Sequence, residues 1–286
     1  MDKVLFSFGH GYSARALAER LIVKGWRIIG TTRSPEKLEG ISETGVEPML
    51  WPGTDVSEQL QQASHLLISA GPGPEGDPVL NALKYQVSQI APRLEWVGYL
   101  STTGVYGDHQ GDWVDEDTPL TATTKRGQKR IDAEAAWQAI PDLPLHIFRL
   151  AGIYGPGRGP FAKVRDGSAR RIIKKGQFFS RIHVEDIAQA LDLSMAQPTP
   201  GAIYNLCDDD PAPPQDVITH AAELLGAPLP EKIDFESAEM SPMARSFYAE
   251  SKKVRNDRIK QALGWEPKYA TYRAGLAAIL DKDTIT

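Results

Sequence analysis

Three small residues at fixed spacing, Gly9, Gly11 and Ala14, carry the clearest chemistry in this 286-residue chain. Glycine at the first position permits a tight turn. Glycine at the second lets backbone N–H groups approach a pyrophosphate with no Cβ in the way. The third position only has to let a helix pack closely on a strand, which alanine does as well. Further on, Thr31-Thr32-Arg33-Ser34 stands where a nucleotide-binding unit recognises its ribose, and no acidic residue occurs there before Glu36. An acidic side chain would bind a ribose 2′-hydroxyl. Arg33 with Thr32 or Ser34 suits a 2′-phosphate instead, supplying a fixed charge and a hydroxyl.

The surrounding pattern is the one these residues need. Val4 to Phe8 is an apolar run suited to a strand buried on both faces. Ala14, Leu17, Ala18, Leu21 and Ile22 fall on one helical stripe, and Gly25 is placed to end it in a left-handed residue. Trp26 to Gly30 reads as the second strand, so the glycines sit at the turn of a βαβ unit. Strands follow at Val46 to Trp51, His65 to Ala70, Trp96 to Leu100 and Leu145 to Leu150, with helices at Val56 to Ala63, around Leu80 to Leu94, and at Lys125 to Ile140. A glycine-rich loop, residues 71–76, leaves the fourth strand at the sheet edge where ligands bind; it either passes a cofactor or merely connects.

This alternation predicts an α/β fold, a doubly wound parallel Rossmann sheet with a smaller, mostly C-terminal substrate domain. Residues 1–156 are expected to form the dinucleotide-binding domain, with 182–207 rejoining it. Residues 157–181 and 208–286, where the alternation weakens, are expected to form the substrate or cap domain. The expected cofactor is NADP, with NAD the alternative, held by Gly9, His10, Gly11, Tyr12, Thr32, Arg33, Ser34, Ala70 and Gly71.

Composition narrows the function classes. A net charge of −5 with no long basic block argues against nucleic-acid binding. No apolar stretch is long enough to span a bilayer, and no signal peptide is read at the start. The single cysteine, Cys207, fits a reducing compartment and reads as an inert buried thiol. No His/Cys cluster has metal-ligand spacing, so no metal is expected. The expectation is a cytoplasmic monomer or homodimer with a small-molecule substrate and no nucleic-acid or membrane partner.

Beyond the first turn, the chain carries STTGVYG at 101–107, the Glu116…Pro119 pair, FRLAGIYGPGR at 148–158, RIHVEDIA at 181–188 and IYNLCDD at 203–209. With GHGYSA at 9–14, these pieces resemble, in order and over nearly the whole chain, the extended short-chain dehydrogenase/reductase family, epimerase/dehydratase branch. That resemblance implies a nicotinamide cofactor and a hydroxyl at Thr102 that hydrogen-bonds the reacting oxygen. It also implies a Tyr-x-x-x-Lys pair on the following helix, the tyrosine moving a proton and the lysine holding the ribose.

Here the sequence departs from the family. RGQKRIDAE at 126–134 places Arg126 at the tyrosine position and Arg130 at the lysine position, and no tyrosine occurs from 107 to 153. A guanidinium stays protonated and cannot shuttle protons. Arg130 can hold a ribose hydroxyl or phosphate, and Arg126 presents a permanent positive fork suited to an anion. The alternative for Arg130 is a plain surface pair with Glu134 on the same helix face, worth about 0.3–0.5 kcal/mol. Tyr106 and Tyr154 are the nearby phenols, read as pocket-wall or packing residues before relocated acids, and His183 reads as structural. The candidate catalytic set is Thr102, Tyr106, Arg126 and Arg130. Two functions follow: an NADP(H)-binding oxidoreductase or epimerase/dehydratase-like enzyme for a small polar substrate, anionic or neutral, or a catalytically inactive dinucleotide sensor.

Overall fold

The computed structural model describes residues 3–285. Seven strands build the central sheet: β1 Val4–Phe8, β2 Arg27–Thr32, β3 Glu47–Leu50, β4 His65–Ile68, β5 Trp96–Thr102, β6 Leu145–Leu150 and β7 Ile203–Leu206. Their spatial order is β7-β6-β5-β4-β1-β2-β3. The pairings of β1 with β2 and β4, of β2 with β3 and of β4 with β5 are all parallel. This is the doubly wound α/β sheet expected from the alternation, extended by one strand beyond β6. The order reverses beside β1, so the turn after β1 lies at the switch point where such sheets bind ligands.

The first helices are α1 Tyr12–Ile22, α2 Leu38–Ser42, α3 Ser57–Gln62, α4 Pro78–Ile90 and α5 Lys125–Gln138. All five residues of β1 are buried, as a strand covered on both faces requires. Val4, Phe6 and Phe8 pack in one core with Ile29, Leu66, Ile68, Val97 and Tyr99, closed by Leu83 and Val87 of α4 and Trp137 of α5. In α1, Ala14, Leu17, Ala18 and Leu21 are buried on the expected stripe. Gly25 adopts φ +78°, the left-handed exit that stripe called for. Asp77 starts α4, its carboxylate accepting hydrogen bonds from the Val79 and Leu80 N–H groups at 2.9 and 3.1 Å.

The chain divides into two compact units. One comprises residues 1–102, 128–149 and 187–204, the other 103–127, 150–186 and 205–286. Within the second, three short parallel pairs join Gly152–Tyr154 to Arg181–His183, Arg171–Ile173 to Lys232–Asp234, and Trp113–Val114 to Lys253–Val254. Tyr154, Phe161, Val164, Val217, Ala221, Leu276 and Ile279 share its core. The stretch 157–180, which shows no pattern in sequence, holds a helix at Phe161–Arg165 and a strand at Arg171–Ile173. That strand is fixed by pairing with residues far along the chain, which local periodicity cannot reveal. Among the described residues no helix is long and apolar enough to cross a membrane.

Candidate functional site

The turn between β1 and α1 is held from two sides. Gly9 takes φ +75°, and a Cβ there would stand 2.8 Å from the Ala70 backbone nitrogen. That nitrogen cannot retreat easily, because it donates to the Phe8 carbonyl at 3.0 Å. On the other side Thr31 latches the turn: its Oγ1 accepts from the Gly9 N–H at 2.9 Å and its carbonyl from the His10 N–H at 2.7 Å. Gly11 is the N-cap of α1 and has no side-chain cap, and the first turn of the helix carries no acidic residue. A Cβ added at Gly11 would meet only the Gly9 carbonyl, at 3.7 Å. Helix α1 therefore begins at an exposed glycine with no side-chain cap, the kind of terminus that receives a phosphate.

His10 is 6% exposed and its ring lies over Gly30, where a Cβ would come 2.6 Å from the ring Cγ. Burial, helped by nearby Arg15, lowers its pKa to about 4, so the imidazole is neutral. At the end of β2, the Thr32 hydroxyl accepts from the Ser34 N–H at 3.2 Å. Thr32 and Ser34 are half-buried and Arg33 is exposed.

Thr102 ends β5, half-buried. Arg130 of α5 binds the same strand: Nη1 donates to the Leu100 carbonyl at 2.7 Å and to the Tyr99 hydroxyl at 3.1 Å. Its Nη2 lies 3.0 Å from where a Cβ on Gly71 would stand. The expected alternative, a surface pair of Arg130 with Glu134, does not form. Glu134 is 2% exposed and instead binds Arg149 at 2.8 Å, both side chains 3% exposed, while accepting from the Ser101 hydroxyl. Arg149 lies on a strand buried from end to end, so its charge needs a buried partner. A charged residue inside the apolar run LHIFRL was the available signal for this pair. Tyr99 had none, reading in sequence as one more buried strand residue.

The remaining candidates belong to the second unit. Tyr106 is fully buried, and its hydroxyl donates to Asn205 Oδ1 at 2.7 Å. Asn205 is fixed in turn by its own N–H, which donates to Glu116 Oε1 at 2.7 Å. Arg126 is exposed, its guanidinium carbon 5.3 Å from the centre of the Phe247 ring. Burial raises the Tyr154 phenol well above its ordinary range. The His183 ring packs 4.1 Å from Tyr269, and its Nδ1 accepts from the Glu185 N–H at 3.2 Å, a structural placement. Cys207 is fully buried with its thiol pushed up by burial. The structure thus gathers Gly9, Gly11, Thr32, Ala70, Gly71, Thr102 and Arg130 into the first unit, and Tyr106 and Arg126 into the second.

The fold is a Rossmann-like α/β sheet, shared with solved epimerases and dehydratases. UDP-glucuronic acid 4-epimerase from Bacillus cereus, solved in complex with NAD, superposes with a TM-score of 0.76 at 16% identity, over 99% of this chain and 100% of that one. A functionally unknown conserved protein from Silicibacter pomeroyi DSS superposes at 0.95 with 61% identity, over 98% of this chain and 99% of its own. No family model matches the chain. Protein YeeZ of Escherichia coli (strain K12) is 30% identical over 276 residues, 91% of this chain and 94% of its own length, and the chain belongs to its family. A 3-diazoavenalumate denitrifying reductase from Streptomyces sp is 28% identical over 178 residues, 57% of this chain and 55% of that protein.

Proposed function

We propose that the protein binds NADP(H) at the Gly9–Gly11 turn and is an oxidoreductase, of epimerase/dehydratase-like build, for a small polar, anionic substrate. The observation that carries the reading is the N-terminus of α1, which starts at Gly11 with no side-chain cap after a turn that Thr31 and Ala70 fix. Gly11, Tyr12 and the first turn of α1 would hold the pyrophosphate, with His10 and Ala70 shaping the turn. Arg33 with Thr32 or Ser34 would hold a 2′-phosphate, and Arg130 beside Gly71 a ribose hydroxyl or phosphate. A bound nicotinamide supplies or accepts hydride. Thr102 donates a hydrogen bond to the reacting oxygen. Arg126 neutralises an anionic group on the substrate.

Because the Tyr106 hydroxyl already donates to Asn205, water or the substrate itself supplies the proton in this reading. In this reading residues 1–156 and 182–207 form the dinucleotide-binding domain, which also supplies Thr102 and Arg126, and 157–181 and 208–286 the substrate domain. The protein acts in the cytoplasm as a monomer or homodimer. The reductase among its relatives supports the redox reading over pure epimerisation.

A second reading is a dinucleotide sensor without catalysis, favoured by the arginines at both 126 and 130, which leave that helix face without a proton carrier. Incubation with NADPH and a panel of anionic carbonyl compounds and nucleotide sugars separates the two, followed by loss of the reduced-nicotinamide absorbance and by product analysis. The enzyme reading expects turnover that falls on Thr102→Val. Tight NADPH binding with no turnover across the panel would favour the sensor.

A further inference from the structure

One buried phenol has no role in the reading so far. Tyr99 is fully buried on β5, its ring against Trp137 at 6.2 Å. Its hydroxyl accepts from Arg130 Nη1 at 3.1 Å, and the Arg130 guanidinium carbon lies 5.6 Å from the Tyr99 ring centre. The same Nη1 donates to the Leu100 carbonyl at 2.7 Å. One arm of the fork is therefore anchored twice, to side chain and backbone of the strand that ends in Thr102. The other arm, Nη2, lies against Gly71, the first glycine of the loop leaving the carboxyl end of β4.

We propose that Tyr99 is a positioning residue for the nucleotide site: with the Leu100 carbonyl it fixes Arg130, so that Nη2 is presented past Gly71 to the phosphate or ribose diol of a bound dinucleotide. This rests on the dinucleotide reading above. Three features support it. An arginine carries its anchor and ligand bonds on two separate nitrogens of a rigid planar fork, whereas a lysine must direct all its donors from one nitrogen. Burial, the largest influence, raises the Tyr99 phenol to about 12, so it stays a neutral anchor at working pH and takes no part in proton transfer. Glycine at 71 leaves the outer arm unobstructed, since a Cβ there would press on Nη2 at 3.0 Å.

The test is a double-mutant cycle read in NADPH affinity by calorimetry, with thermal unfolding measured on every variant. Tyr99→Phe keeps the ring and its packing and removes only the hydroxyl. It should weaken NADPH by about threefold to tenfold, the worth of one hydrogen bond, with little change in melting temperature. Arg130→Ala should weaken NADPH by about tenfold or more, and Arg130→Lys should not restore it. In the Arg130→Ala background, Tyr99→Phe should have no further effect on affinity. If Tyr99→Phe leaves NADPH affinity unchanged, or weakens it equally with Arg130 absent, the positioning role is wrong while the dinucleotide reading stands. If the wild-type protein binds neither NADPH nor NADH, that reading fails and the proposal falls with it.

Discussion

Gly9 and Gly11 are two residues apart, yet the structure gives them opposite jobs, and substitution by alanine should separate them. At Gly9 the backbone is left-handed, which costs an L-residue about 1–2 kcal/mol. The new Cβ would also stand 2.8 Å from the Ala70 nitrogen, a backbone atom already committed to Phe8. Overpacking of that kind adds about 1–3 kcal/mol. Gly9→Ala should therefore lose about 2–5 kcal/mol, a large share of the margin a domain possesses. Gly11 has φ −103°, and its Cβ would meet only the Gly9 carbonyl at 3.7 Å. Gly11→Ala should lose no more than about 1 kcal/mol, the usual cost of alanine at an N-cap. Its methyl group would stand at the exposed start of α1, where the pyrophosphate is proposed to sit, so NADPH affinity should fall by about tenfold or more. Urea unfolding measures the first effect and calorimetry the second. A Gly9→Ala protein that loses less than about 1 kcal/mol would refute the close packing of the turn. A Gly11→Ala protein with undiminished NADPH affinity would refute the placement of the pyrophosphate.

Three further outcomes follow from particular side chains. Arg33→Ala should narrow the preference for NADPH over NADH by about 1–2 kcal/mol, since its guanidinium has no role in the NADH complex; an unchanged ratio of the two dissociation constants removes Arg33 from the site. Glu134→Ala removes the buried carboxylate that binds Arg149, and should cost about 3–5 kcal/mol in urea unfolding, with Glu134→Gln milder because it still accepts hydrogen bonds. Burial, opposed by Arg181, raises the Asp208 carboxyl to about 8 from its ordinary 3.8. A raised acid contributes stability that is full below about 3.8 and is lost as pH rises toward 8. Asp208→Asn fixes the neutral form, so its stability relative to wild type should climb from acid to pH 8 and then level; a flat difference would contradict the buried placement.

The parts of the molecule legible in sequence are those set by local pattern. The run Val4–Phe8, the stripe Ala14 to Leu21 and the exit at Gly25 each follow from periodicity and backbone freedom, and the structure forms all three. What local pattern cannot carry is contact between distant segments. Arg130 and Glu134 sit one helical turn apart and read as partners, yet each finds a better one across the sheet. A carbonyl and a phenol on β5 take Arg130, and Arg149 on β6 takes Glu134. The Tyr106–Asn205–Glu116 chain and the strand at Arg171–Ile173 escape sequence reading for the same reason, since both are made by pairing over long separations. The arginines at 126 and 130 are read from residue types alone. The structure adds that one of the two arginines is anchored inside the first unit while the other is exposed on Phe247 in the second.

The central proposal is that a phosphorylated dinucleotide binds at the Gly9–Gly11 turn, with Arg33 after β2 holding its 2′-phosphate. Its most direct test is a calorimetric titration of the wild-type protein with NADPH and, separately, with NADH under the same conditions. The account predicts saturable binding of both with NADPH the tighter by about tenfold, the worth of one charge-assisted contact to the 2′-phosphate. Equal affinities would contradict the role of Arg33, and the absence of binding by either would contradict the site itself.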